Sequence, residues 1–252
     1  MVNSKIRQLL ASNRGRGRFA IEASGTDEAT IYLYDMIVDS EADADWYGGV
    51  SAEAFVKQLA QIEASTIHLR VNSPGGSVFG GRAMENALRQ HKANVIAHVD
   101  GLAASAASFV IMGADKIEMA HGAFLMIHKA WNIVWGNADD MRQQADLLDQ
   151  IDGSLAQTYA TRTGIAVDKI TSMMADETWI EAASAVEQGF ADSVAESTKK
   201  SDGAANAWDL GAFNHPPARQ AAPPASNAQE PAAKPADRAA LHRAALRRLV
   251  PA

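Results

Sequence analysis

The sequence predicts an α/β domain with crossover connections, followed by a disordered C-terminal tail. From about Thr30 to Val194, segments rich in β-branched and aromatic residues alternate with helical patterns, as a parallel sheet with helical crossovers requires. Seven of the eight prolines fall between Pro216 and Pro251, leaving Pro74 alone in the body. An apolar share of 47% with 21% charged residues in 252 residues is enough for one substantial core or two small ones.

The elements follow in order. "TIYLYDMIV" (Thr30 to Val38) reads as a strand. "SAEAFVKQLAQI" reads as a helix with Ser51 as N-cap and Glu53 in its first turn, where a negative charge meets the positive end of the dipole. "STIHLRV" (Ser65 to Val71) is a strand that runs into "NSPGGSV", and a helix follows near "GRAMENALRQH". "NVIAHVD" (Asn94 to Asp100) is a third strand, "SAASFVIMG" a short apolar helix closed by Gly113, and "KIEMA" and "AFLMIH" are two further strands. A long helix spans Ala138 to Thr163 with Gly164 as its C′ residue, and shorter helices follow around Ile170 and Ala185. No internal repeat is evident.

The domain boundary falls near Glu196. The Pro/Ala/Gln-rich stretch over about 200–236 cannot bury enough apolar surface to offset its ordering entropy and reads as a flexible linker. Beyond it, "ADRAALHRAALRRLV" places Leu241, Ala244, Ala245 and Leu249 at helical spacing among arginines. This predicts either a short basic amphipathic helix near 237–250 that docks on a partner or a frayed segment.

Composition excludes several function classes. With no cysteine, disulfides, thiol nucleophiles and thiolate metal sites are absent. The net charge is −7; from Glu196 onward eight Lys/Arg face five Asp/Glu, so that tail carries +3 and the body −10. An acidic body argues against nucleic acid as the main partner. No window approaches the roughly 18 consecutive apolar residues of a membrane span, and "MVNSKIRQLLASNRGRGRF" lacks the apolar core of a signal peptide. No membrane association and a cytoplasmic location are therefore expected. His/Asp clusters at ligand spacing are lacking, and the glycine pair matches neither the P-loop nor the dinucleotide fingerprint, so no metal or organic cofactor is expected.

Four segments carry candidate chemistry. A strand that ends in Ser73-Pro74-Gly75-Gly76 must turn sharply, and two glycines let another chain approach the backbone N–H groups. Taken alone this also fits a plain β-to-α turn. In "GLAASAAS" a helix starting near Ser105 would put its hydroxyl at the positive dipole end with Ala106 N–H unpaired, the needs of a serine nucleophile whose oxyanion must be held. An Ala/Ser helix chosen for tight packing would read the same, and the segment is not a G-x-S-x-G elbow.

His128 ends an apolar strand about twenty residues after Ser105 and could accept the serine proton, although a lone histidine there is more often a core residue. His68, His91, His98 and His121 occupy no comparable place. Finally, "MMADETWIEAASAVEQGFADSV" offers Asp176 and Glu177, either of which could orient the histidine or simply begin a helix.

Together, in this order and spacing, "NSPGGSV", "GLAAS", "MIH", "GNADDM", "TRTG" and "AVEQGFAD" resemble the ClpP family of serine peptidases, the Clp protease proteolytic subunit, from about Thr30 to Val194. The resemblance implies a ClpP/crotonase-like superhelix of repeated β-β-α units over 29–196, preceded by an N-terminal extension (1–28) and followed by the tail (197–252). It implies Ser105 as nucleophile, His128 as general base, and Gly76 and Ala106 N–H as the oxyanion hole, with Gly75 and Ser77 lining the substrate path. Pro74 would stiffen the loop so that the amide is already aimed. For the third member, alignment of "WIEAASAVEQGFAD" favours Glu177, with Asp176 as the alternative.

The resemblance also implies protein substrates and a homo-oligomeric ring, with the helix Ala138 to Thr163 as the ring-to-ring contact. The region before Thr30 departs from the axial-loop segment that meets an ATPase, and the Pro/Ala tail is foreign to the housekeeping enzyme. "DETW" and the outline look like the phage or prophage branch, whose head maturation (prohead) proteases trim capsid or scaffold proteins. That would place the chain in the bacterial host cytoplasm or inside the prohead. The alternatives are a host ClpP paralogue working with an ATPase unfoldase, an inactive relative serving as a structural assembly protein, and a crotonase-like thioester enzyme, against which the joint presence of Ser105 and His128 counts.

Overall fold

In the computed structural model, which describes residues 5–24, 27–196 and 208–217, two long parallel strands form the centre of the sheet. They are β5 (Thr66–Ser73) and β6 (Asn94–Ala104). Outward from β5 lie β2 (Glu28–Tyr34) and β1 (Arg18–Ser24); outward from β6 lie β7 (Lys116–Met119) and β10 (Ser193–Val194). Along this path only the β1–β2 hairpin is antiparallel. With 11 residues, β6 pairs with β7 through Ile96–Val99 and then with β8 (Phe124–Ile127) through Leu102–Ala104. Strand β9 (Thr178–Glu181) adds antiparallel to β8. A separate two-stranded parallel sheet joins β3 (Ile37–Val38) to β4 (Val50–Ser51).

The helices begin and end where their caps dictate. Ser51 accepts a hydrogen bond from Ala54 N–H and starts α3 (Ala52–Leu59), and Ser77 does the same from Gly80 N–H for α4 (Val78–Gln90). Asn137 and Asp140 form a reciprocal capping box at the start of α6 (Ala138–Thr163), and Gly164 closes that helix in the left-handed conformation at φ 74°. The others are α1 (Lys5–Asn13), α2 (Glu41–Tyr47), α5 (Ala106–Val110) with a 3-10 turn over Ile111–Gly113, α7 (Val167–Ala175) and α8 (Ala182–Glu187). No helix among the described residues is long and apolar enough to cross a membrane.

Alternation along the strands sends one face to the core. Ile31 and Leu33, Ile67, Leu69 and Val71, and Val95, Ala97 and Val99 are buried against Phe55 and Leu59 of α3 and Met84 and Leu88 of α4. The opposite face is polar. There Tyr34 and Arg70 bond Asp100, His68 Nδ1 meets His98 Nε2 at 2.9 Å, and His98 faces Glu118.

Several elements differ from the expectations. The strand expected over Thr30 to Val38 breaks at Asp35 and Met36, where the Asp35 carboxylate accepts from Met36 N–H and Ser73 Oγ donates to Asp35 C=O. The strand expected to end at Asp100 continues past Gly101 to Ala104. The elements α1, β1, α2, β9 and β10 lie where no element was expected.

The flexible-linker reading of 200–236 does not describe 208–217. There Trp208, Ala212 and Phe213 join Leu9, Met36, Leu102, Ala104 and Met126 in a second apolar cluster. Averaging composition across a proline-rich stretch hid the apolar "AWDLGAF" at its start. The rest of that linker and the expected helix near 237–250 lie outside the described residues.

Gly153 within α6 and Gly164 at its C-terminal cap separate packing from backbone strain, because a Cβ at either would meet nothing within 4 Å. Gly164→Ala should cost about 1 kcal/mol through its positive φ, whereas exposed, helical Gly153→Ala should add about 0.5–1 kcal/mol. Urea midpoints of the two variants check both signs.

Candidate active site

Ser105 stands at the junction of β6 and α5, with φ 52° and ψ −123°, a backbone conformation that side chains rarely adopt. Three hydrogen bonds hold the junction. Ser105 N–H donates to Met126 C=O at 2.9 Å, and Ser108 N–H and Ser108 Oγ both donate to Ser105 C=O at 2.9 and 2.6 Å. Ser108 Oγ is also 2.6 Å from the hydroxyl of the buried Tyr159, which ties α6 to this turn.

His128 follows the last residue of β8, so the strand beside β6 delivers it to the same end of the sheet. Its Nε2 lies 2.7 Å from Ser105 Oγ. Trp131 and Phe213 stand edge-on to the imidazole at 4.6 and 5.6 Å between ring centroids. This enclosure pushes the His128 pKa down to about 4, chiefly by burial; the Glu177 charge opposes the shift and Lys5 adds to it. The ring is therefore neutral at pH 7, as a general base must be.

The two candidate acids separate cleanly. Asp176 is exposed at the C-cap of α7, whereas Glu177 is buried and close enough for its charge to act on His128. Glu177 has φ 51°, which turns the chain from α7 into β9; among the described residues, Ser105 and Glu177 are the non-glycine positions with positive φ. Strain of this kind persists only where the surroundings enforce it, and here it marks two of the expected site residues. The Glu177 carboxylate accepts from Asn214 N–H at 2.9 Å, His215 N–H at 2.7 Å and, at 3.4 Å, Trp179 Nε1. Among the described residues no hydrogen bond joins it to His128.

The glycine loop explains itself sterically. A Cβ on Gly75 (φ 90°) would sit 2.5 Å from Ala104 O, 2.7 Å from Ser105 Cβ and 2.8 Å from Ala106 N. One on Gly76 (φ 148°) would sit 2.0 Å from Ile37 O. Ser73 Oγ accepts from Gly75 N–H, and buried Pro74 lies between them. Gly76 bridges to Ile37 through Gly75 C=O and Ser77 N–H, a pairing that leaves its own N–H outside the bond pattern. Ala106 N–H is the first of α5 and has no partner in the helical ladder.

Ser77 caps α4 and bonds Asp39. Ser105, His128, Gly76 and Ser77 line one cleft of about 360 Å³, whose other walls include Ile37, Val38, Leu148 and Ile151.

A nucleophile–base pair at hydrogen-bond distance, with two unspent amides beside it, can carry out acyl transfer. A sequence model of the Clp protease family matches residues 27–198. The chain belongs to the Clp protease family. It is 30% identical over 190 residues to ATP-dependent Clp protease proteolytic subunit 2 of Parasynechococcus marenigrum (strain WH8102), covering 73% of this chain and 91% of that one. It is 33% identical over 136 residues to the like-named subunit of Corynebacterium diphtheriae, covering 53% and 68%. Among solved structures, a point mutant of ClpP1 from Listeria monocytogenes shares the fold with a TM-score of 0.57 at 21% identity, over 66% of this chain and 91% of that one. The motif resemblance is thus borne out for the family and its mixed α/β fold.

Several residues around the Clp protease motifs were not singled out in the sequence. Trp131 was visible in "HKAW", three residues after His128, but an aromatic there has no unique meaning. Tyr159 and Ser108 looked like ordinary helix positions, and Lys5 and Phe213 belong to segments read as an extension and a linker.

Burial of His128 has a stability consequence. An ordinary histidine titrates at 6.5, so between there and about pH 4 the unfolded chain takes up a proton that the folded ring refuses. This contribution is fully present above pH 6.5 and lost as pH falls towards 4; His128→Gln should flatten that part of a plot of urea midpoint against pH.

Proposed function

We propose that this member of the Clp protease family is an ATP-independent serine endopeptidase that cleaves capsid or scaffold proteins during phage head maturation. The contact between Ser105 Oγ and His128 Nε2 at the start of a helix carries the catalytic part of the reading. Ser105 Oγ attacks the scissile carbonyl carbon as its proton passes to His128 Nε2. The carbonyl oxygen takes the negative charge and is held by Gly76 and Ala106 N–H. The imidazolium then protonates the leaving amine, and water repeats the sequence on the acyl-enzyme. Glu177 is the third member, stabilising the imidazolium, and Gly75 and Ser77 border the path of the substrate backbone.

The subunits form a homo-oligomeric ring, with α6 at the ring-to-ring contact. Exposed Met141 and Leu147 on that helix support this. The N-terminal segment and the tail, both unlike the housekeeping pattern, support the phage assignment. A second reading, a proteolytic subunit served by an ATPase unfoldase, draws on the names of the cyanobacterial and corynebacterial relatives. Degradation of a folded substrate only with an ATPase ring and ATP would favour it; ATP-independent cleavage of a scaffold protein in assembling heads would favour the first.

Ser105→Ala should abolish peptide cleavage, a loss of about 10⁴-fold or more, with fold and assembly intact. Intact mass after fluorophosphonate treatment should show one adduct on the parent and none on the variant. No adduct on assembled parent protein would sink the catalytic reading.

A further inference from the structure

The segment 208–217 lies against the catalytic machinery. Trp208 anchors it, buried, with Nε1 donating to Asn72 Oδ1 at 3.1 Å. Asp209 N–H donates to Asn13 Oδ1 at 2.7 Å while Asn13 Nδ2 donates to Asp209 C=O at 3.0 Å, which ties the segment to α1. Phe213 then packs edge-on to His128 and Trp179 and lines the cleft with Ser105. The next two amides, Asn214 and His215, each take one oxygen of the Glu177 carboxylate.

A carboxylate can accept from several donors, but one held through both oxygens is fixed in orientation. Its hydrogen bonds run to the 208–217 segment and to Trp179, while His128 is bonded to Ser105 through Nε2. The imidazolium formed on proton transfer would then have the acid's charge nearby but no acceptor from it, and the orienting hydrogen bond of a triad is missing.

We propose that residues 208–217 act as a latch on the acid, holding Glu177 on the Asn214 and His215 amides and away from His128 until the segment is displaced. The inference rests on the peptidase reading above. Asn214 and His215 are positioning residues through their backbone, so side-chain replacement alone would miss their role. Displacement frees Glu177 to turn to His128 Nδ1, and it removes Phe213 from the wall of the cleft.

The test uses the full chain with Asn214→Pro and His215→Pro together, which removes both N–H donors, and separately Phe213→Ala. Circular dichroism and melting check the fold, and Ser105→Ala gives the blank. The rate of fluorophosphonate reaction at Ser105 is measured against pH. Release of the latch should raise the rate at pH 7 at least about tenfold, out of the roughly 10⁴-fold that an aligned acid can supply. It should also move the acid limb upward from about pH 4 as Glu177 comes to support the charged ring. Loss of the Phe213 enclosure, or of the Asn214 side chain that bonds Lys5, moves that limb by itself. The latch therefore requires that the shift and the rate gain vanish when Glu177→Gln is added to the same variants, and a shift that survives Glu177→Gln would overturn it.

Rates and limb equal to the parent's, or a slower reaction in folded variants, would overturn the latch and leave the peptidase reading standing. If the proline variant unfolds, Phe213→Ala carries the same expectation. Absence of reaction at Ser105 in every protein would overturn the peptidase reading and the latch with it.

Discussion

The backbone of Gly75 rests against the turn from Ala104 to Ala106, closer than any side chain would permit, and the cleft depends on that contact. It places the loop after β5 beside the first amide of α5, two elements that meet only because β5 and β6 are neighbouring parallel strands. The β5–β6 register shifts between Val71 and Ser73, so the two chains leave regular pairing as they reach the site. Ser105 accepts an unfavourable φ there, which costs about 1–3 kcal/mol in general and is held by Met126, Ser108 and Tyr159. The strained serine and the permissive glycines are thus one device: the glycines give the space that the serine's turn occupies.

Burial decides the state of His128. Desolvation acts against its charged form more strongly than the nearby Glu177 charge acts for it, so the ring stays neutral. Trp131, Phe213 and Lys5 come from three different parts of the chain and all contribute to this environment, by packing or by charge. A site that looks like a local motif is therefore completed by both ends of the domain.

The strands and helices between Thr66 and Ala175 were legible because they combine apolar patterns with visible boundary residues. Ser51 and Gly164 mark boundaries that the structure shares, and α6 has the expected limits. The short pieces β9 and β10 were not legible, since four and two residues cannot establish a period and tertiary pairing makes them strands. Ser105 and His128, each open to a plain packing role when read alone, were paired through the family resemblance of the motifs that carry them, and the structure brings them to hydrogen-bond distance. The choice between Asp176 and Glu177 was not decided by the residues alone, because adjacent acids differ only in the direction their backbone gives them. A positive φ at Glu177 gives one the interior and leaves the other exposed.

The polar face of the sheet bears on how the chain finds its pairing. Parallel strands joined by helices have no tight turn to set their alignment, and alternation makes every one-residue slip exchange the two faces. On β5, β6 and β7 such a slip would drive His68, Arg70, His98, Asp100 and Glu118 into the space now filled by Ile67, Leu69, Val71, Val95, Ala97, Val99, Ile117 and Met119. Burying those charges would cost far more than a misplaced methyl group. The ladder of imidazole, guanidinium and carboxylate groups therefore serves as a key for alignment: it rejects the wrong pairings of strands whose connections are too long to choose the right one.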